Sequence, residues 1–185
     1  MKTESNKRLF VHNFMTEWGE FRTAATESKL VLISMPGESV SCFDDKIAEK
    51  FGGLIVEQGG KLNRQAEREL KAYLAGNLKK FTIDFEIDAS PFQKKVLKFV
   101  SKIPYGKTLS YGEIALKLGN PRASRAVGTA NARNNLPLII PCHRVVAANG
   151  LGGYGGGLPL KIKLLRHEGV QVSSAAMVSA ERGRL

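Results

Sequence analysis

One of the two cysteines in this 185-residue chain stands in the run Pro141-Cys142-His143-Arg144. A thiol attacks carbon as its thiolate, and cationic neighbours or an ordered histidine can lower its pKa from about 8.5. The residue types therefore suit nucleophilic catalysis. Adjacency alone does not make Cys142 and His143 partners, because neighbours on a strand point to opposite faces. A free cysteine is also a common small buried apolar residue. A second candidate is Glu168, directly before the helix-stopping Gly169, where the helix macrodipole disfavours a carboxylate. It either has a partner, such as His143, or is a solvated helix end. The three histidines (His12, His143, His167) and two cysteines show no paired ligand spacing, so no zinc site is expected.

The charge is divided unevenly. Residues 1–88 hold 13 Lys+Arg against 14 Asp+Glu, and residues 89–185 hold 15 against 3, a net of −1 and of +12 within a total of +11. A basic half beside a neutral one is the footprint of a nucleic-acid binder, although a basic surface also serves solubility. No apolar run approaches the ~20 residues needed to span a bilayer, and the first ten residues lack the apolar centre of a signal peptide. With so few cysteines, a reducing, cytoplasmic setting is expected.

Several elements must position these groups. Residues 20–25 and 29–35 are β-leaning, with Thr26-Glu27-Ser28 as a hairpin turn between them. Residues 63–78 carry helical periodicity through Ala66, Leu70, Tyr73 and Leu74. Residues 81–87 alternate apolar and polar, as a half-buried strand does. The charge shift places a domain boundary at residues 86–90. Beyond it, Ser90, Pro91 and Gln93 form a helix start with a capping-box partner, and Ser110-Tyr111-Gly112-Glu113 repeats the spacing. Gly119-Asn120-Pro121 stops that helix and caps another carrying Arg122, Ala123, Arg125, Ala126, Val127 and Ala130. Two short helices across a tight turn fit a helix-turn-helix. The small residues of the second helix allow close approach to a groove wall or to another helix. Six glycines in the nine residues 149–157 make a loop whose amides can approach a ligand, or a plain connector. It is not a P-loop, since no Gly-Lys-Ser/Thr ends it. Residues 159–167 form a last helix.

From about residue 90 to 170 the chain resembles the O6-alkylguanine-DNA alkyltransferases, or methylated-DNA–protein-cysteine methyltransferases. The matching residues are Ile103-Pro104-Tyr105-Gly106, Ser110-Tyr111, Ala123-Ser124-Arg125-Ala126-Val127-Gly128, Asn134, Pro141-Cys142-His143-Arg144-Val145-Val146, the glycine loop with Tyr154, and His167-Glu168-Gly169, in family order. Residues 1–85 match only weakly. The loop after Val146 is about one residue shorter than in some relatives, and the zinc ligands of some members are not evident.

The resemblance implies an α+β chain: a small N-terminal ribonuclease-H-like α/β domain (residues 1–88) and a mainly helical, winged-helix-like domain for DNA binding and alkyl transfer (89–171). The polar, small-residue composition of residues 172–185 marks them as a flexible tail. It implies that Cys142 accepts the alkyl group, with His143 acting through a water as its base and Glu168 orienting the imidazole. Asn134 would hold the turn that carries the cysteine, and Tyr111 would protonate or polarise the departing guanine. Arg125 would fill the gap left by a flipped nucleotide, while Ala123, Ala126 and Ala130, with Tyr111, meet the DNA. Val145, Tyr154 and Gly155 would contact the base. The expected partner is duplex DNA containing O6-alkylguanine, and also O4-alkylthymine, bound by a monomer without cofactor or metal. Two other readings are a helix-turn-helix sensor or regulator without transfer activity, and a Cys-His hydrolase. The acceptor cysteine argues against the sensor.

Overall fold

A computed structural model describes residues 8–172, so the tail, except for Val172, lies outside the described residues. The chain divides into two compact units, Met1–Ile87 and Asp88–Leu185. None of the described helices is long and apolar enough to cross a membrane.

The first unit is a four-stranded sheet with two helices: β1 (Arg8–Thr16), β2 (Gly19–Ala25), β3 (Leu30–Ser34), α1 (Val40–Phe51), β4 (Ile55–Gln58) and α2 (Lys61–Leu74). The strand order is β3-β2-β1-β4, antiparallel except for the β1–β4 pair. Strand alternation divides β1 between two faces. Leu9 and Val11 pack with Phe43, Ile47 and Phe51 of α1, whereas His12 bonds to Glu67 of α2 at 2.8 Å.

The hairpin of β2 and β3 forms as the sequence predicts. The expected strand at 81–87 does not. Ile83 is buried and its neighbours alternate, but the only ladder contact is one bridge from Leu30 to Phe85. An alternating pattern specifies a face, and a strand also needs a neighbour of matching length. The helix expected over 63–78 begins two residues earlier and ends at Leu74, with Gly76 in the left-handed region behind it.

The second unit contains α3 (Pro91–Val100), β5 (Leu109–Ser110), α4 (Tyr111–Lys117), a 3-10 turn (Pro121–Ala123), α5 (Ser124–Ala132), a second 3-10 turn (Cys142–Arg144), β6 (Val145–Val146) and α6 (Leu158–His167). The α4 start is a complete capping box between Ser110 and Glu113. At α3 only half of the expected box forms. Ser90 accepts from the Gln93 amide, but the Gln93 side chain donates instead to Arg133 at the end of α5. The α3 and α4 helices both pack on α5. The short strands β5 and β6 pair in parallel, which brings Tyr111, next after β5, toward the segment that carries Cys142. Ala123 falls in the 3-10 turn rather than in the α-helix proper.

Candidate active site

Cys142 opens a 3-10 turn and is 6% exposed. Its amide donates to the Ile140 carbonyl at 2.8 Å. Its own carbonyl accepts from Val145 and from the side chain of Asn131 at 3.2 Å. Asn134 closes the preceding turn: its amide nitrogen donates to the Ile140 carbonyl at 2.8 Å and its oxygen accepts from Leu136 at 3.0 Å. Within that turn Leu138 sits at φ 70°, the one non-glycine positive φ among the described residues. Holding a buried leucine there costs of order 1–3 kcal/mol, which the surrounding bonds and packing must offset.

His143 and Glu168 meet as the helix-end carboxylate suggests. His143 Nε2 lies 2.9 Å from Glu168 Oε1, and both side chains are fully buried. The carboxylate also accepts from Arg144 through Nε at 2.9 Å and Nη2 at 2.8 Å, and from the Gly106 amide at 3.1 Å. Arg144 in turn donates to the Ile103 carbonyl at 2.5 Å and lies 5.8 Å from the Tyr105 ring centroid. The guanidinium compensates a carboxylate that the α6 macrodipole would otherwise disfavour. Gly106 is required here, because at φ +70° a Cβ would come within 2.9 Å of the Glu168 carbonyl.

Burial decides the protonation states. It pulls the His143 pKa below the ordinary imidazole value, against the hydrogen bond to Glu168, so the ring is neutral at pH 7. With Nε2–H donating to the carboxylate, Nδ1 is left as the basic nitrogen, and it has no protein partner. For Cys142 the structure reverses the direction expected from cationic neighbours. Burial pushes the thiol pKa up, and Asn134 and Lys161 oppose it only in part. The resting pair is thus a neutral thiol beside a neutral imidazole.

Lys161 was not singled out in the sequence. It is fully buried, and its ammonium donates to the carbonyls of Val145 at 2.6 Å, Leu151 at 2.5 Å and Gly153 at 3.3 Å. Burial brings its pKa down to about 8. These bonds stitch the glycine-rich loop onto β6. The available signal was a lysine among Leu158, Ile162 and Leu165 on the apolar stripe of α6. Asn131 carried a similar signal, four residues after buried Val127 on α5.

Tyr111 packs over Gly152, where a Cβ would meet its ring at 2.8 Å, and its hydroxyl reaches the Gly153 carbonyl at 3.5 Å. Burial, and then the charge of Cys142, raise its pKa. The Tyr154 hydroxyl is buried without a well-formed hydrogen bond, and burial followed by the neighbouring Cys142 charge raises its pKa strongly. Val145 is fully buried with its carbonyl already accepting from Lys161. Gly155 is exposed, with open space where a side chain would be.

The surface of α5 needs one correction. Arg125 and Ala126 are exposed and Ala123 is half-buried. Ala130, expected on the DNA-facing side, is 3% exposed and belongs to the core. A helix set by packing on α3 and α4 turns roughly half its positions inward, and smallness alone does not say which. Gly128 lies against the Tyr111 ring, so part of the small-residue stripe serves helix packing. No group of three or more metal-ligating His, Cys, Asp or Glu occurs among the described residues.

Residues 91–170 match the family 6-O-methylguanine DNA methyltransferase, DNA binding domain. A methylated-DNA–protein-cysteine methyltransferase of Methanosarcina acetivorans is 53% identical over 107 residues, 57% of this chain and 69% of that protein. The fold is similar to the crystal structure of Mycobacterium tuberculosis O6-methylguanine methyltransferase, with TM-score 0.74 and 32% identity over 92% of this chain and 99% of that one. It is also similar to M. tuberculosis OGT in complex with DNA, with TM-score 0.73 and 34% identity over 86% and 93%. Similarity of this degree over most of the length of both chains, in sequence and in fold, makes this chain a member of the methylated-DNA–protein-cysteine methyltransferase family.

Proposed function

We propose that the chain repairs DNA directly, by moving the alkyl group of O6-alkylguanine irreversibly to Sγ of Cys142. The observation that carries this reading is the buried Cys142 thiol beside a neutral His143 that is held by Glu168, itself held by Arg144. In the step, the S–C bond forms as the C–O6 bond breaks. The thiol proton passes, by way of a water, to His143 Nδ1, and the electron pair stays on the guanine, which takes a proton from Tyr111. His143 then releases its proton to solvent and the Tyr111 phenolate takes one up, which restores both groups. The high thiol pKa means that this proton leaves as attack occurs, not before it. A stable thioether results, so each molecule acts once.

An alkyl carbon on O6 is inside the duplex stack, so the nucleotide must be extruded. Exposed Arg125 on α5 is suited to fill the gap, with Ala126 and Ala123 offering a low profile beside it. Val145, with a second lone pair on its carbonyl, and the loop at Tyr154 and Gly155 are suited to receive the base. O4-alkylthymine presents the same exocyclic O-alkyl chemistry. The sheet order β3-β2-β1-β4 with β4 parallel to β1 supports a ribonuclease-H-like first unit. The two-stranded β5–β6 sheet, with β5 directly before and β6 after the helix-turn-helix of α4 and α5, supports a winged-helix-like second unit.

Incubation with a duplex containing O6-methylguanine, followed by intact mass measurement and peptide mapping, tests this. One permanent methyl on Cys142, absent in Cys142→Ala, is expected. No mass change would leave only DNA binding, and multiple turnover would mean hydrolysis.

A further inference from the structure

We propose that Asn131 is a positioning residue that ties the DNA-facing helix to the nucleophile; this rests on the alkyl-transfer reading above. Asn131 and Asn134 lie three residues apart at the end of α5, and each donates its side-chain amide to one carbonyl of the cysteine-bearing segment. Asn134 takes the Ile140 carbonyl at 2.8 Å and Asn131 the Cys142 carbonyl at 3.2 Å. The two bonds bracket Pro141. Both run from the end of α5 to this segment, and the Asn131 bond reaches the reacting residue itself.

Asn131 is 6% exposed, with its side-chain amide turned to the Cys142 carbonyl. Core packing alone would favour an apolar residue at a position four after Val127, because the Asn131 oxygen is buried with no protein donor and costs stability there. The amide is therefore retained for what its donor does. It fixes the carbonyl of the 3-10 turn so that Sγ keeps a constant distance and direction from the surface of α5. A nucleophile misplaced by even ~1 Å loses much of its rate.

Two variants test this with saturating O6-methylguanine duplex in single-turnover mode. Asn131→Leu removes the donor together with the unpaired oxygen. It should unfold near the wild-type temperature and bind unmodified duplex within about twofold, yet transfer methyl about tenfold more slowly, the worth of one lost hydrogen bond. Asn131→Asp removes the donor only while ionised. A protonated carboxyl restores an O–H donor to the Cys142 carbonyl, and burial raises the pH at which it forms. At a temperature where circular dichroism shows the Asp variant folded at every pH, its transfer rate should therefore recover toward wild type as pH falls from about 8 to 6, a change that relief of a folding defect does not explain.

Wild-type rates in the Leu variant, or an Asp variant whose pH profile parallels wild type, would overturn the proposal. Wild-type protein that gains no methyl on Cys142 would instead overturn the function on which it rests.

Discussion

Replacing Glu168 with glutamine removes one charge and almost no volume, and the structure sets two separate consequences. The first is stability. Glu168 accepts from the Arg144 Nε and Nη2, the His143 ring and the Gly106 amide, and it is fully buried. Breaking a buried ion pair by removing one partner costs about 3–5 kcal/mol, because the other charge is left uncompensated. Two features reduce this. The glutamine oxygen still accepts from one donor, and removing a carboxylate from the α6 C-terminus returns about 0.3–1 kcal/mol. The expected loss is about 2–4 kcal/mol, a large share of the roughly 5–15 kcal/mol that holds a domain together. The second consequence is rate. Glutamine fixes neither the tautomer nor the orientation of His143, so Nδ1 is no longer reliably the basic nitrogen. Loss of general-base assistance slows a reaction by about 10²–10⁴-fold. Urea unfolding measures the first effect. Single-turnover transfer from methylated duplex, at a temperature where the variant is still folded, measures the second. An unfolding midpoint equal to wild type would mean that the carboxylate is not the counter-charge of Arg144. A folded variant reacting within threefold of wild type would mean that His143 does not depend on Glu168.

Arg125→Ala should impair repair of duplex far more than reaction with free alkylguanine, and wild-type affinity for duplex should fall with salt at a log–log slope of about −0.9 per phosphate neutralised; equal losses on both substrates would remove the flipping role. Because burial lowers the His143 pKa, the unfolded chain binds a proton that the folded chain does not. The stability it contributes is complete above the unfolded value of about 6.5 and declines as pH falls below it, while transfer to Cys142 holds through that value. A rate that halves near pH 6.5 would show that His143 titrates normally. Lys161→Met should quicken amide exchange through the 151–153 loop and slow reaction with free alkylguanine, while changing unfolding free energy by less than about 2 kcal/mol, because an apolar residue replaces a buried charge; unchanged exchange would mean that the ammonium does not hold the loop.

The features legible in the sequence are those set by bonds between near neighbours. Ser110 and Glu113 cap α4, Gly169 ends α6, and the turn after Ala25 folds β2 onto β3, because each depends on residues only a few positions apart. The Cys-His-Arg run and the misplaced glutamate were likewise visible, one by residue type and one by its conflict with the macrodipole. Strand β1, helix α1 and strand β4 were not. Ile55 and Val56 are exposed apolar residues on a short strand, and a four-residue segment is too short for a readable period. The alternation at 81–87 was real, but its pairing depended on the reach of β3.

Only the tertiary structure decided that Ala130 faces the core, that Lys161 is buried, and that the Cys142 thiol is held protonated rather than ionised. These are consequences of desolvation, which depends on every atom that comes close in space. The groups around Cys142, His143 and Glu168 come from residues 103, 106, 131, 134 and 161, and no period along the chain records which of them exclude water together.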